Sequence, residues 1–284
     1  MGEREQIRLA GGFGFLEAPR WHDERLWVSD MARHTVFTVD ASGTATPMFE
    51  LDDSPSGLGW LPDGRLLVVS MHARKVLRRE HYGRLVLHAD LGPLVDADLN
   101  DMVVDGHGRA YVTNFGYDAA TSEPKSTGVV LVHPDGSTEG PVGELFRPNG
   151  CGIVQDGSTF VVAETRVHRL AAFRIADDGS LHDQRTIGEL PSGSWADGLC
   201  LDAEDAVWVA DPKGRRCFRL TKDGETTDII DTSPMPTVSC ALGGPDRRTL
   251  FLTLAPIRPF DEAAGGGVAE IRTVAVEVPG AGWP

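Results

Sequence analysis

Cysteine is scarce in this chain: four among 284 residues, at positions 151, 200, 217 and 240. None forms a C-x-x-C pair, so neither a disulfide framework nor a thiolate zinc site is expected. Cys151, Cys200 and Cys240 lie in apolar runs and read as small core residues. Basic residues are also outnumbered, with 27 Lys and Arg against 42 Asp and Glu and a formal net charge of −15. Phosphate contacts need clustered Lys and Arg, so nucleic acid is not an expected partner. No apolar run is long enough to span a bilayer, and no membrane partner is expected. The opening MGEREQIRLAGG lacks the apolar core of a secretory signal and the Ser or Thr of a myristoylation motif. The expected location is therefore cytoplasmic. Three common catalytic signatures are missing as well. There is no G-x-S-x-G, no Walker loop, and no G-x-G-x-x-G after a strand pattern.

What the chain does have is turn residues, with 33 Gly and 18 Pro. Such a composition leans towards an all-β protein of short strands. A unit also recurs six times. Each begins with a polar residue opening a short run, continues through a turn, and ends in a strongly β run. The first is Glu17-Ala-Pro-Arg-Trp, a turn at 22–24, then Leu-Trp-Val-Ser-Asp at 26–30. The other units open at Ser56, Asn100, Asn149, Asp197 and Ser239, with β runs at 66–70, 110–114, 160–164, 207–211 and 250–254. A third alternating run follows, such as Thr-Val-Phe-Thr-Val at 35–39 or Arg-Cys-Phe-Arg-Leu at 216–220. Period-two alternation marks strands, and Asp-Gly pairs supply hairpin turns. Six antiparallel units of about 45 residues predict a six-bladed β-propeller, all-β, as one domain over 1–284. The segments Glu5–Ala10 and Val268–Val278 both alternate and are expected to meet in the last blade, because closing the ring removes an exposed edge.

In a propeller the innermost strand of each blade lines the central channel. The six opening residues, Glu17, Ser56, Asn100, Asn149, Asp197 and Ser239, should converge at one mouth of it. They include two carboxylates and two carboxamides, an oxygen set suited to a hard dication. Without a cation, Glu17 and Asp197 would repel each other in a partly desolvated place. The ends of the second strands carry Asp30, Ser70, Asn114, Glu164 and Asp211, placed to orient the residues nearer the axis. His72 is the one histidine expected near the mouth, while His34, His107 and His168 read as turn or surface residues.

Leu-Glu17-Ala-Pro-Arg-Trp, Leu-Asn100-Asp101, Pro-Asn149-Gly150 and Ala-Asp197-Gly198-Leu-Cys-Leu-Asp-Ala-Glu resemble the regucalcin/gluconolactonase (senescence-marker-protein) family. The resemblance runs from about residue 13 to 255. It implies a six-bladed propeller with one divalent cation held by Glu17, Asn149 and Asp197, and with Asn100 beside them as a weak ligand or substrate contact. Calcium is the first expectation, with magnesium, manganese or zinc as alternatives. The implied activity is a metal-dependent hydrolase that opens a lactone or related ester, with Asp197 as the catalytic residue. The alternatives are a non-hydrolytic metal-assisted isomerase or cyclase of secondary metabolism, and a non-catalytic metal-binding propeller.

Sugar-lactonase members carry an Arg just before the Asn-Asp, to grip polyol hydroxyls. This chain has Asp96-Ala97-Asp98-Leu99 there. Together with Trp195, Phe115, Tyr117 and Met71 near expected loops, that points to a ligand less polar than an aldonolactone. The expected substrate contacts are Asn100, Asp98, Trp195 and His72, around a small molecule. The protein is expected to be a monomer or weak homo-oligomer.

Overall fold

Short alternating runs between Asp-bearing turns fold into six four-stranded antiparallel sheets. The computed structural model describes residues 4–118, 120–191, 193–257, 263 and 265–282. The inner strands are Leu16–His22, Pro55–Trp60, Leu99–Val104, Pro148–Ile153, Leu199–Leu201 and Thr237–Gly243. Each packs on the next, and that of blade six packs back on blade one, which makes a six-bladed propeller. The expected β runs fall within the second strands, Arg25–Asp30, Leu66–Ser70, Ala110–Asn114, Thr159–Glu164, Val207–Asp211 and Thr249–Leu254. Among the described residues no helix is long and apolar enough to cross a membrane.

The hairpins between first and second strands explain the recurrent Asp. The carboxylates of Asp63, Asp105, Asp156, Asp202 and Asp246 each accept the backbone N–H two residues on, at 2.9–3.0 Å. This turn needs no Gly at the second position. In blade three the left-handed residue is Gly108 rather than Gly106, and blade one turns on Asp23 and Glu24, both with positive φ.

Chain ends meet in blade six. Ile7–Phe13 forms its outer strand and pairs antiparallel with Ala269–Ala275, Ile7 opposite Thr273 and Phe13 opposite Ala269. Apolar side chains fill the wedges between blades. Between blades two and three, Leu67 and Val69 meet Met102, Val112 and Val130, all fully buried. Each such side chain contributes about 1.5–3 kcal/mol by leaving water.

Two devices turn the inner strands into a site. The first is a one-residue bulge at the opening residue. Glu17 faces Ser29 but Arg20 faces Trp27, so the inner strand carries one extra residue. The same slip occurs between Pro55 and Leu58, Leu99 and Met102, Pro148 and Cys151, and Thr237 and Ser239. A bulge bends the strand and re-aims a side chain. In blade five the regular strand starts only at Leu199, so Asp197 stands ahead of it rather than within it.

The bulges also bring neighbouring inner strands backbone to backbone. Gly150 N–H donates to Asp197 O at 3.2 Å, and Gly198 N–H donates to Val238 O at 3.0 Å. A Cβ on Gly150 would lie 2.6 Å from Leu199 N, and one on Gly198 would lie 2.7 Å from Ser239 Cα. Only glycine allows that approach.

The second device is a set of buried carboxylates at the ends of second strands, all fully inaccessible. Asp30 accepts from Gly14 and Phe15 N–H, Glu164 from Phe146 N–H, and Asp211 from Trp195 and Gly214 N–H. They therefore fasten the loops that feed Glu17, Asn149 and Asp197, and do not touch those side chains. Arg169 and Arg216 neutralise Glu164 and Asp211. In blade two the polarity is reversed, with Ser70 Oγ donating to Asp53 at 2.7 Å.

Gly150→Ala is expected to force blades four and five apart and cost about 1–3 kcal/mol. Denaturant unfolding checks this, with Gly265→Ala as control, since a Cβ there meets nothing within 4 Å.

Candidate metal and substrate site

A cavity of about 870 Å³ opens at one mouth of the channel. Four of the six opening residues, Glu17, Asn100, Asn149 and Asp197, line it. Ser56 and Ser239 are buried beside them but do not reach it.

The amides are held in a line. Ser29 Oγ donates to Ser56 O at 2.7 Å, and Ser56 Oγ lies 3.5 Å from Asn100 Oδ1. Asn100 Nδ2 donates to Asn149 Oδ1 at 2.7 Å, and Asn149 Nδ2 approaches Thr165 Oγ1 at 3.4 Å. Thr165 Oγ1 in turn donates to Ala196 O at 2.6 Å, next to Asp197. The line runs from blade one to blade five and fixes which face each amide presents.

The two carboxylates are differently placed. Neither Glu17 nor Asp197 makes an ion pair among the described residues. Burial pushes the Glu17 carboxyl well above its ordinary range, and the charges of Asp197 and Asp101 push it further. The Ala18 N–H, 3.2 Å from Glu17 Oε2, and Arg20 oppose this without reversing it. Burial raises Asp197 to about 7, against the pull of the Asn149 amide and the Arg147 charge. A buried and a half-buried carboxyl, both pushed up by desolvation and by neighbouring carboxylates, are short of a positive charge.

The donor set fits a hard dication by its chemistry: two carboxylates and an amide oxygen, with a second amide adjacent. Among the described residues no group of three or more His, Cys, Asp and Glu gathers as a metal site, so the amides are needed to complete it.

The remaining expected contacts are all on the wall of this cavity. His72 Nδ1 lies 2.9 Å from Asp98 Oδ2, and the two side chains form a half-exposed pair at the rim. Trp195 is 42% exposed and carries Lys213 Nζ 5.5 Å above its ring. Phe115, Tyr117 and Met71 line the cavity too, joined by Phe15, Met31 and Ile257. An apolar collar thus stands above a polar floor.

Three contributors were not singled out in the sequence. Arg20 and Asp101 form a buried pair at 2.7 Å across the channel, with Arg20 Nη2 also donating to Met102 O at 3.0 Å. A charged residue of opposite sign in each of two apolar inner strands is the signal that could have found it. Thr165 anchors the amide line. Arg147, with positive φ, lines the cavity and lies 4.2 Å over the Phe115 ring. A cation thus lines the cavity at the start of blade four, while none stands at 96–99. His168, read as a turn or surface residue, also reaches the cavity. Deeper along the inner strands, Cys151, Cys200 and Cys240 line a cavity of about 90 Å³ as free thiols.

Known proteins share this architecture. Regucalcin of Gallus gallus is 29% identical over 163 residues, covering 55% of this chain and 54% of that protein. The match thus spans about half the length of that relative. Pentonolactonase XacC of Haloferax volcanii is 24% identical over 247 residues, covering 84% of this chain and 81% of that protein. The solved structure of a calcium-binding protein, regucalcin, from Agrobacterium tumefaciens superposes with a TM-score of 0.81 at 21% identity, covering 99% and 97% of the two chains. At that identity the likeness shows the fold. Residues 15–256, which hold the whole polar floor, match the SMP-30/Gluconolactonase/LRE-like region family, and the chain belongs to that family.

Proposed function

We propose that this protein is a metal-dependent hydrolase that opens a lactone, or a related ester, of a small-molecule substrate. The observation that carries the reading is the floor: one buried and one half-buried carboxyl with no ion pair among the described residues, next to two oriented amides, at the bottom of a substrate-sized cavity. Relatives named as lactonases support the reaction class. Glu17, Asn149 and Asp197 would hold a divalent cation, calcium first, with magnesium, manganese or zinc as alternatives. When bound, such an ion polarises a carbonyl and acidifies water.

The chain's own groups supply the rest. Asn100 Nδ2 gives one hydrogen to Asn149, and its second hydrogen is free to donate to a carbonyl oxygen as negative charge develops there. Asp197 is the base. It accepts a proton from the attacking water as the new C–O bond forms. It returns that proton to the ring oxygen as the acyl C–O bond breaks, so the product is a hydroxy acid. The His72–Asp98 pair and Trp195 border the entrance, where they contact the part of the substrate away from the carbonyl. The apolar collar favours an alkyl- or aryl-bearing substrate over a bare polyol. We further propose that the protein acts as a monomer or weak homo-oligomer.

Metal analysis of purified protein should find about one dication per chain; a metal-free protein of undiminished stability would remove the cation from the reading. A pH test is sharper. Both carboxyls titrate higher in the folded than in the unfolded chain, so the stripped protein binds more protons folded than unfolded between about pH 4 and 7. Its melting temperature should fall as pH rises through that window, and added calcium should reverse the trend.

Asp197→Ala should lower turnover by about 10²–10⁴-fold while circular dichroism stays unchanged. Retained turnover would take Asp197 out of the chemistry. In a panel of γ- and δ-lactones, those with alkyl or aryl substituents should be opened with higher kcat/KM than aldonolactones. If no lactone or ester reacts in the presence of metal, a non-hydrolytic reaction on the same floor takes precedence.

A further inference from the structure

Several part-buried or buried arginines are spent on carboxylates: Arg20 on Asp101, Arg109 on Asp105, Arg216 on Asp211 and Arg219 on Asp202. Arg147 is not. It is half-buried and lines the cavity, yet its guanidinium makes no ion pair or hydrogen bond among the described residues. Its Cζ stands 4.2 Å over the Phe115 ring, a contact that uses none of the N–H groups of its fork as a hydrogen-bond donor to a side chain. Asp197 feels its charge without bonding to it.

Two further basic groups share that wall. Thr165 N–H donates to Arg147 O and Arg166 N–H to Phe146 O, which continues the strand pairing and sets Arg166 beside Arg147. Arg166 also lines the cavity without an ion pair or side-chain hydrogen bond among the described residues. His168 follows, with Nδ1 buried and unpartnered. The nearby carboxylate of blade four, Glu164, is engaged by Arg169 and Phe146 N–H. Across the cavity the charges are balanced locally. Asp96 pairs with Lys125 and Asp98 with His72; Asp118 accepts from Thr121 and Ala120 and feels the Arg147 charge without an ion pair to it.

One wall is thus paired and the other holds uncommitted donors and positive charge. We infer that Arg147, Arg166 and His168 form a subsite for an anionic group, a carboxylate or sulfonate, carried by the substrate at a distance from its reacting carbonyl. This rests on the hydrolytic reading for what happens at the floor, but the subsite binds independently of it. The substrate class becomes an acidic lactone or ester, with an apolar middle against the collar and a charged tail on blade four.

The test uses metal-loaded protein and two unreactive probes of one shape, 3-phenylpropane-1-sulfonate and the neutral 3-phenylpropane-1-sulfonamide. A sulfonate is a poor ligand for hard dications, so its binding reports on the arginines. By calorimetry the sulfonate should bind at least about tenfold more tightly, and the gap should shrink as salt rises. Arg147→Gln with Arg166→Gln should abolish the gap and leave sulfonamide affinity and melting temperature unchanged; Lys213→Gln should keep the gap. Equal affinities, no binding of the sulfonate, or a preference that survives the double variant would each overturn the subsite. A γ-lactone tailed with sulfonate, compared with its hydroxyl-tailed twin, separates the two readings. If neither opens but the sulfonate probe still binds preferentially, the hydrolytic reading fails and the subsite stands.

Discussion

Everything at the centre of this propeller depends on how closely six inner strands approach one another. Backbone meets backbone at Gly150 and Gly198, where the N–H groups bond to the next blade instead of to their own sheet. That contact leaves no room for side chains on the inward side and sends the preceding residue, Asn149 or Asp197, towards the axis. The bulges do the same for Glu17 and Asn100. A polar residue at any one of these places would be an ordinary strand-end residue. Narrowing the ring turns four of them into a floor, with a spacing that no single blade could hold.

Charge is distributed with the same economy of space. Deep in the channel Arg20 and Asp101 cancel each other. At the strand ends Asp30, Glu164 and Asp211 are buried completely but are engaged by backbone N–H groups and, at Glu164 and Asp211, by guanidinium groups. Glu17 has the Ala18 N–H and Asp197 the Asn149 amide, but neither carries an ion pair among the described residues. The fold satisfies its structural carboxylates and leaves two unsatisfied, which is how a binding centre differs from a packing motif.

The repeat was legible because turn chemistry is local. An Asp that bonds two residues ahead, followed by a β run, reads the same in five blades, and the seam between Ile7–Phe13 and Ala269–Ala275 followed from alternation at both ends. The floor residues were legible because they recur at one place in each unit. The bulges that aim them were not, since an extra residue in a strand leaves no mark in composition. Arg20 and Asp101 pair across 81 residues, from blade one to blade three, so neither neighbourhood shows the other. Arg147 sits in an ordinary-looking Arg-Pro-Asn, and its place on the wall comes from a left-handed backbone that the sequence does not announce. The second-strand carboxylates were expected to orient the floor directly; they act one step back, on the loops, because a strand end lies nearer to the neighbouring loop than to the axis.

The seam in blade six has a consequence for how the molecule comes into being. Blades one to five each come from one contiguous stretch of roughly 35–45 residues, a short search for a chain. Blade six must recruit Ile7–Phe13 from the far end of the sequence. Until it does, the ring is an open arc with two raw edges, and blade one has no neighbour on one side. Glu17 belongs to blade one and Asp197 to blade five, so the arc holds them apart. Closing the ring therefore brings Glu17 and Asp197 to one axis and removes the last open edge together.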